Sequence, residues 1–286
     1  AERRGFLHVA YLRAAHDVAK VLDGLHAYTV HCIEERAARL PVGTPADQVG
    51  GLYQGISTYV ASCACVGRHA VTLGEGATFS PERIIGSERG EHALHVGAGA
   101  RLLGGAFDLS EGGIWLGKQV TVEPGVLVRG PAIIEDRTTL RHGAYVRGDC
   151  ILGPGGVYGG ELKGVFALDG VELPHTGYCG DSILGHRAHF GCQALTANFP
   201  LFPGSAPTIH LDGAKYDLGR RKFGAVVGDQ SQLGCGCVTE PGCFIGPNTH
   251  CYPLCRLPRG VYGPNELVKN RPHEAGVILR APLRLG

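Results

Sequence analysis

The chain has 286 residues, with 27 Lys and Arg against 26 Asp and Glu, and a formal net charge of +1. A balance this even gives no global pull toward nucleic acid or an anionic membrane surface, and no apolar run approaches the length of a membrane span. The 44% hydrophobic content argues against disorder, and 46 glycines without a collagen period point to repetitive β structure with tight corners. Eleven cysteines in a chain of this length, without a signal-like start, read as reduced thiols of a cytoplasmic protein.

The N-terminal segment carries helical spacing. Leu12, Ala15, Val18, Ala19, Leu22, Leu25, Ala27 and Tyr28 recur on one face, and charged residues fill the gaps. A second helix is predicted from Tyr28 to Leu40, ending at Pro41, and Pro41 to Gly55 has the Gly, Pro and Asp content of a linker. The expected organisation is a helical segment over 1–65, a β-helix over 66–265 and a cap or tail over 266–286.

From about residue 66 the period changes. Leu116, Val122, Val128, Ile134, Leu140, Val146 and Leu152 stand six apart. Four residues after each come Val120, Val126, Ala132, Thr138, Ala144, Cys150 and Gly156, all small or β-branched. This is the hexapeptide pattern of a parallel β-helix, with the aliphatic residue inside the coil and the small one near the corner. A second run holds Val227, Leu233, Thr239, Ile245, Cys251 and Leu257, followed by Ser231, Cys237, Cys243, Thr249 and Cys255. Before residue 114 the pattern is weaker, with Val96, Leu102, Leu73-Gly74 and Ile85-Gly86 as candidate coil positions. Cys150, Cys237, Cys243 and Cys255 occupy slots that Thr, Ala and Val fill elsewhere, so they read as core packing. Cys63-Ala-Cys65 and Cys235-Gly-Cys237 lack the two-residue gap of a zinc or redox motif.

Between the two runs, over residues 157–226, the six-residue period breaks, and functional residues often sit where a regular scaffold is interrupted. This interval holds Glu161-Leu-Lys163, then His175-Thr-Gly-Tyr178-Cys-Gly-Asp181, His186, His189, Gly191-Cys192, Thr196-Ala-Asn198, an alternating hairpin-like stretch over Thr208 to Leu218, and Arg220-Arg-Lys222-Phe223. With Arg147 in the preceding coil, these residues resemble the acetyltransferase domain of the bifunctional glucosamine-1-phosphate acetyltransferase/UDP-N-acetylglucosamine pyrophosphorylase family. The likeness covers roughly residues 114–265 and includes the twelve-residue interval from Lys163 to His175.

The resemblance implies a left-handed parallel β-helix, acetyl-CoA as cosubstrate, no metal requirement and a homotrimer with sites between subunits. It implies that His175 is the general base toward an amino-sugar phosphate. Lys163, Lys222 and Arg147 would hold phosphate, Tyr178, Asn198 and His189 would line the acceptor, and Gly191 and Cys192 would meet the cosubstrate, with a backbone N–H near Gly191 facing the oxyanion. The family has Asn where this chain has His189, a shorter loop between Asn198 and Lys222, and a pyrophosphorylase half with no counterpart in this sequence.

Bland readings stand beside these. His175 after Pro174 also fits a surface corner, Asp181 fits a turn former, and the cations fit solvated turns. Two other functions remain open: a non-catalytic or sugar-nucleotide-binding scaffold, and a γ-carbonic-anhydrase-like metalloenzyme. The second needs a His-x4-His pair, whereas His186 and His189 are three apart.

Overall fold

A computed structural model of the protein describes residues 6–40, 64–87, 89–201, 206–211, 213–270 and 278–282. The linker expected over Pro41 to Gly55 lies outside the described residues. The chain forms two compact units, one of residues 25–163 and one of residues 1–24 with 164–286. Both are built from parallel β-solenoid coils, so the fold is mainly β with a few short helices.

In the 25–163 unit the repeat is 18 residues, three hexads to a coil. Ala132 pairs with Ile114 on one side and Cys150 on the other, and Thr139 pairs with Thr121 and Val157. The inward slots are those of the sequence pattern: Leu116, Val122, Val128, Ile134, Leu140, Val146 and Leu152 are all fully buried. The earlier coils are longer, with offsets such as Thr78 to Arg101, which blurs their period. Val96 and Leu102 are buried as expected. Leu73 and Ile85 are only half-buried, and Val71 and Ile84 take the inward places instead.

The helical segment is three helices rather than two: α1 (Val9–Ala14), α2 (Val18–Asp23) and α3 (Leu25–Ala37). Asp17 caps α2 by accepting from the Lys20 N–H at 2.9 Å, which breaks the apolar run that reads as continuous in sequence. α3 packs within the 25–163 unit against the strands Ala132–Ile134 and Cys150–Leu152, using Leu25, Thr29, Cys32 and Ile33. It explains why all three residues of each of those strands are buried, Ile133 and Ile151 included. Arg36 fixes the helix by pairing with the buried Glu135 at 2.7 Å and lying over Trp115 at 5.5 Å.

In the other unit the outward Phe166 is covered by Phe6, His8 and Tyr11, at ring separations of 5.8 to 6.1 Å. The second run of slots, Val227 to Leu257, is buried, as are Ser231, Cys237, Cys243, Thr249 and Cys255. The cysteines are thus core residues, and the nine described as free thiols carry no disulfide among them. Between Ile183 and its ladder partner Val226 the offset is 43 residues, 25 more than a full coil, and the extra chain forms the antiparallel hairpin Thr208–Leu211 with Ala214–Asp217. The solenoid period runs slightly past its expected end, because Glu266–Asn270 still pairs in parallel with His250–Cys251 before Ile278–Pro282 closes the ladder antiparallel. Among the described residues no helix is long and apolar enough to cross a membrane.

Truncating an inward slot leaves a cavity that stacked neighbours cannot close. Leu140→Ala is expected to cost about 2–5 kcal/mol in urea unfolding, whereas Arg141→Ala, on the exposed corner beside it, should stay within about 0.5 kcal/mol.

Candidate functional site

The interrupted coils place the sequence candidates unevenly. Arg147 and Lys163 belong to the 25–163 unit, and the other candidates to the second unit. Lys163 is half-buried on the strand Glu161–Ala167. Arg147 donates to Glu161 at 2.6 Å and lies over the Tyr145 ring, so the acid of the Glu-x-Lys pair already partners this cation.

In the second unit, His175 stands exposed on the bend that leads into the strand Tyr178–Leu184, and it forms no hydrogen bond or ion pair among the described residues. Three residues on, Tyr178 is half-buried and stacks in register with Leu195 of the next coil. Tyr178 and Asn198 converge over Gly180. A β-carbon at Gly180 would sit 2.3 Å from the Tyr178 hydroxyl and 2.7 Å from the Asn198 Nδ2, so only glycine leaves room for both side chains.

Asp181 departs from the turn-forming role its Gly-Asp setting suggests. It lies inside a seven-residue strand, with φ of +44°, and is only 6% exposed. Its carboxylate accepts from Asn198 Nδ2 at 2.5 Å and lies 3.5 Å from Arg220 Nη2, while its carbonyl accepts from the Gly224 N–H at 2.8 Å. Under it, the Ser182 hydroxyl donates to the Gly180 carbonyl at 2.7 Å and sits 3.0 Å from the Thr196 hydroxyl, so the polar groups of this buried coil are paired.

Phe223 of the Lys-Phe pair is fully buried and stacks on Phe244 at 5.7 Å. Lys222 and Arg221 remain exposed, and both cations lie over the Phe199 ring, at 5.7 and 5.3 Å. Two participants were not among the site residues expected from sequence. In sequence Arg220 is only part of a cationic run, and Asp23, which lies 2.5 Å from Arg220, sits on a helix with no motif to mark it. Asp23 also lines a cavity of about 380 Å³, with Ala19, Ile209, Leu218 and Phe244 among its other walls.

His189 and Cys192 are half-buried, and Cys192 is 3.9 Å from the Thr176 hydroxyl. Gly191 requires a correction. Its N–H donates to the Leu233 carbonyl at 2.7 Å as part of the ladder, so it is not a free donor for an oxyanion in this arrangement. His186 and His189 do not act as a pair: His186 Nδ1 is 2.6 Å from Asp169, and its N–H donates to Asp229 at 2.8 Å. Among the described residues no group of three or more His, Cys, Asp or Glu is arranged to hold a metal ion.

The architecture and these residues define a parallel β-solenoid with a polar cluster at its one long interruption. No family model matches the chain. Part of it is homologous to curated bifunctional proteins. It is 36% identical over 108 residues to the bifunctional protein GlmU of Methanococcus vannielii, which covers 37% of this chain and 26% of that protein. It is 29% identical over 163 residues to the bifunctional sugar-1-phosphate nucleotidylyltransferase/acetyltransferase of Sulfurisphaera tokodaii, covering 50% of this chain and 40% of the relative. The chain therefore matches less than half the length of either. Among solved structures, the polysialic acid O-acetyltransferase OatWY aligns over 78% of this chain and 90% of its own, at 14% identity and a TM-score of 0.25.

Burial pushes the Cys179 thiol, beneath this cluster, up to about 11. The thiol is therefore neutral at pH 8 and gains reactivity only as pH rises toward that value. Iodoacetamide at pH 8 on the native protein should alkylate the exposed Cys235 and spare Cys179, as read by peptide mass mapping. Equal labelling of the two would show that the cluster is open to solvent.

Proposed function

We propose that the protein is an acyltransferase that moves the acetyl group of acetyl-CoA to the amine of an amino-sugar phosphate. The observation that carries this reading is the exposed His175 three residues before Tyr178, with Tyr178 and Asn198 drawn together over Gly180. The partial homology to acetyltransferase-bearing proteins supports the same chemistry.

In this mechanism the imidazole of His175 takes a proton from the acceptor amine as its nitrogen attacks the thioester carbonyl. The tetrahedral intermediate then collapses by breaking the C–S bond, the thiolate leaves, and the amide remains on the sugar. No serine or cysteine nucleophile is required, because the thioester is already activated, and burial keeps Cys179 protonated and out of the chemistry. Tyr178 and Asn198 orient the acceptor. The exposed Lys222, Arg221 and Phe199 supply cations and a ring face at the edge of the cluster, suited to a phosphate. Lys163, His189, Gly191 and Cys192 keep the acceptor and cosubstrate roles that the resemblance implies. A homotrimer would let residues of neighbouring copies complete the site. The free thiols fit a reducing, cytoplasmic setting.

The test is thioester consumption with acetyl-CoA against glucosamine 1-phosphate and a panel of free amino sugars. His175→Ala is expected to lower turnover by about 10²–10⁴-fold while leaving the thermal melt unchanged, since the side chain is exposed. Wild-type protein inert toward every amine, or a fully active His175→Ala variant, would reject the reading.

A further inference from the structure

Asn198 can offer a ligand either end of its carboxamide, and which end it offers sets what it recognises. An ionised carboxylate only accepts hydrogen bonds, so the 2.5 Å contact to Asp181 assigns the NH2 end of Asn198 to Asp181. The Asn198 carbonyl Oδ1 accepts no hydrogen bond from the described residues and is left for a ligand.

A carboxylate only 6% exposed calls for a compensating cation beside it. Arg220 supplies it. Its guanidinium donates toward Asp181 at 3.5 Å, to Asp23 on α2 at 2.5 Å and, through Nε, to the Lys222 carbonyl at 3.0 Å. Three partners spread around one planar fork leave the guanidinium little freedom to turn. The order of contacts runs Asp23, Arg220, Asp181, Asn198, and α2 is joined to the cluster at its first member.

We infer that Asp181 and Arg220 are positioning residues that hold Asn198 with its carbonyl outward, so that the site selects an acceptor presenting an N–H or O–H at that point. Asp23 makes α2 a working part of the same device. The inference rests on the acyl-transfer reading for the identity of the ligand, but the orientation of Asn198 is testable without it.

Two measurements on the full chain separate these. The first is ¹⁵N NMR of the Asn198 side-chain amide, assigned by its loss in Asn198→Ala. In wild type its protons should exchange at least about tenfold more slowly than in Asp181→Asn or Arg220→Ala, with Arg220→Lys between and Asp23→Asn weakly affected. The second is steady-state kinetics with acetyl-CoA and glucosamine 1-phosphate. Asp181→Asn should raise KM by about tenfold with kcat changed less than about threefold, and Arg220→Lys should recover part of what Arg220→Ala loses.

Unchanged exchange in Asp181→Asn overturns the pinning. Exchange as expected with kcat falling and KM unchanged would show that Asp181 does not act on acceptor binding and overturn its selective role. Wild type inert toward every amino sugar, with the exchange pattern intact, would remove the acyl-transfer reading and still support the fixed amide. Exchange unaffected by Asp23→Asn would remove α2 from the device.

Discussion

Every coil of this protein must present the same inward slots to the coils on either side, because each can bury its apolar face only against its neighbours. Leu116, Ile134 and Leu152 illustrate the constraint: they pair in one vertical ladder and none is exposed. Small hydroxyl and thiol residues such as Thr239 and Cys251 fit these slots, but a charged or oversized group cannot enter such a ladder without disturbing the coils above and below it. Chemistry is therefore confined to outward positions, corners, and coils whose length departs from 18 residues. The interval that carries Tyr178, Asp181 and Asn198 is such a departure, and its offset to the following coil is the one that accommodates the hairpin.

This explains which parts of the fold were legible in the sequence. The inward slots recur at fixed spacing, so a one-dimensional reading finds them, cysteines included. Their periodicity survives wherever coils keep 18 residues and fades in the early coils, where pairs such as Thr78 and Arg101 are 23 apart. The helices were harder. Their residues show the right spacing, but the break between α1 and α2 depends on a side chain, Asp17, turning back on the Lys20 N–H. The surface that α3 covers was visible in principle: Ile133 and Ile151 put an aliphatic residue at the outward position of their strands, whereas the strand Tyr145–Arg147, in a different ladder, has half-buried Tyr145 and exposed Arg147 on either side of its inward Val146. Outward apolar residues at coil period are a docking signal for something, though not for which segment.

The cluster was legible only where motif spacing transfers between related chains. His175, Tyr178 and Asn198 were identifiable in that way. Asp181 looks in sequence like a turn former because Gly-Asp is locally a turn, while its burial and its partner Asn198 arise from stacking residues 17 positions apart. The Gly191 N–H shows the same effect: a glycine near a corner looks in sequence like a free backbone donor, yet this N–H is engaged with the Leu233 carbonyl of the adjacent coil. Asp23 had no local signature at all, because its contact to Arg220 spans 197 residues of sequence.

The Asp181–Arg220 pair is poorly explained as a stability device. Taking a carboxylate and a guanidinium out of water costs several kcal/mol, and a 3.5 Å separation returns little of it, so an apolar pair of similar volume would stabilise the coil at least as well. The backbone adds to the cost, since Asp181 adopts a positive φ that non-glycine residues seldom take. What the arrangement provides is direction. A carboxylate held in one place by the coil, neutralised by a cation that is itself tethered to a helix, leaves the neighbouring amide one way to face. In a scaffold whose core is repetitive and chemically blank, a fixed amide at the break in the period is the kind of asymmetry that selective recognition needs.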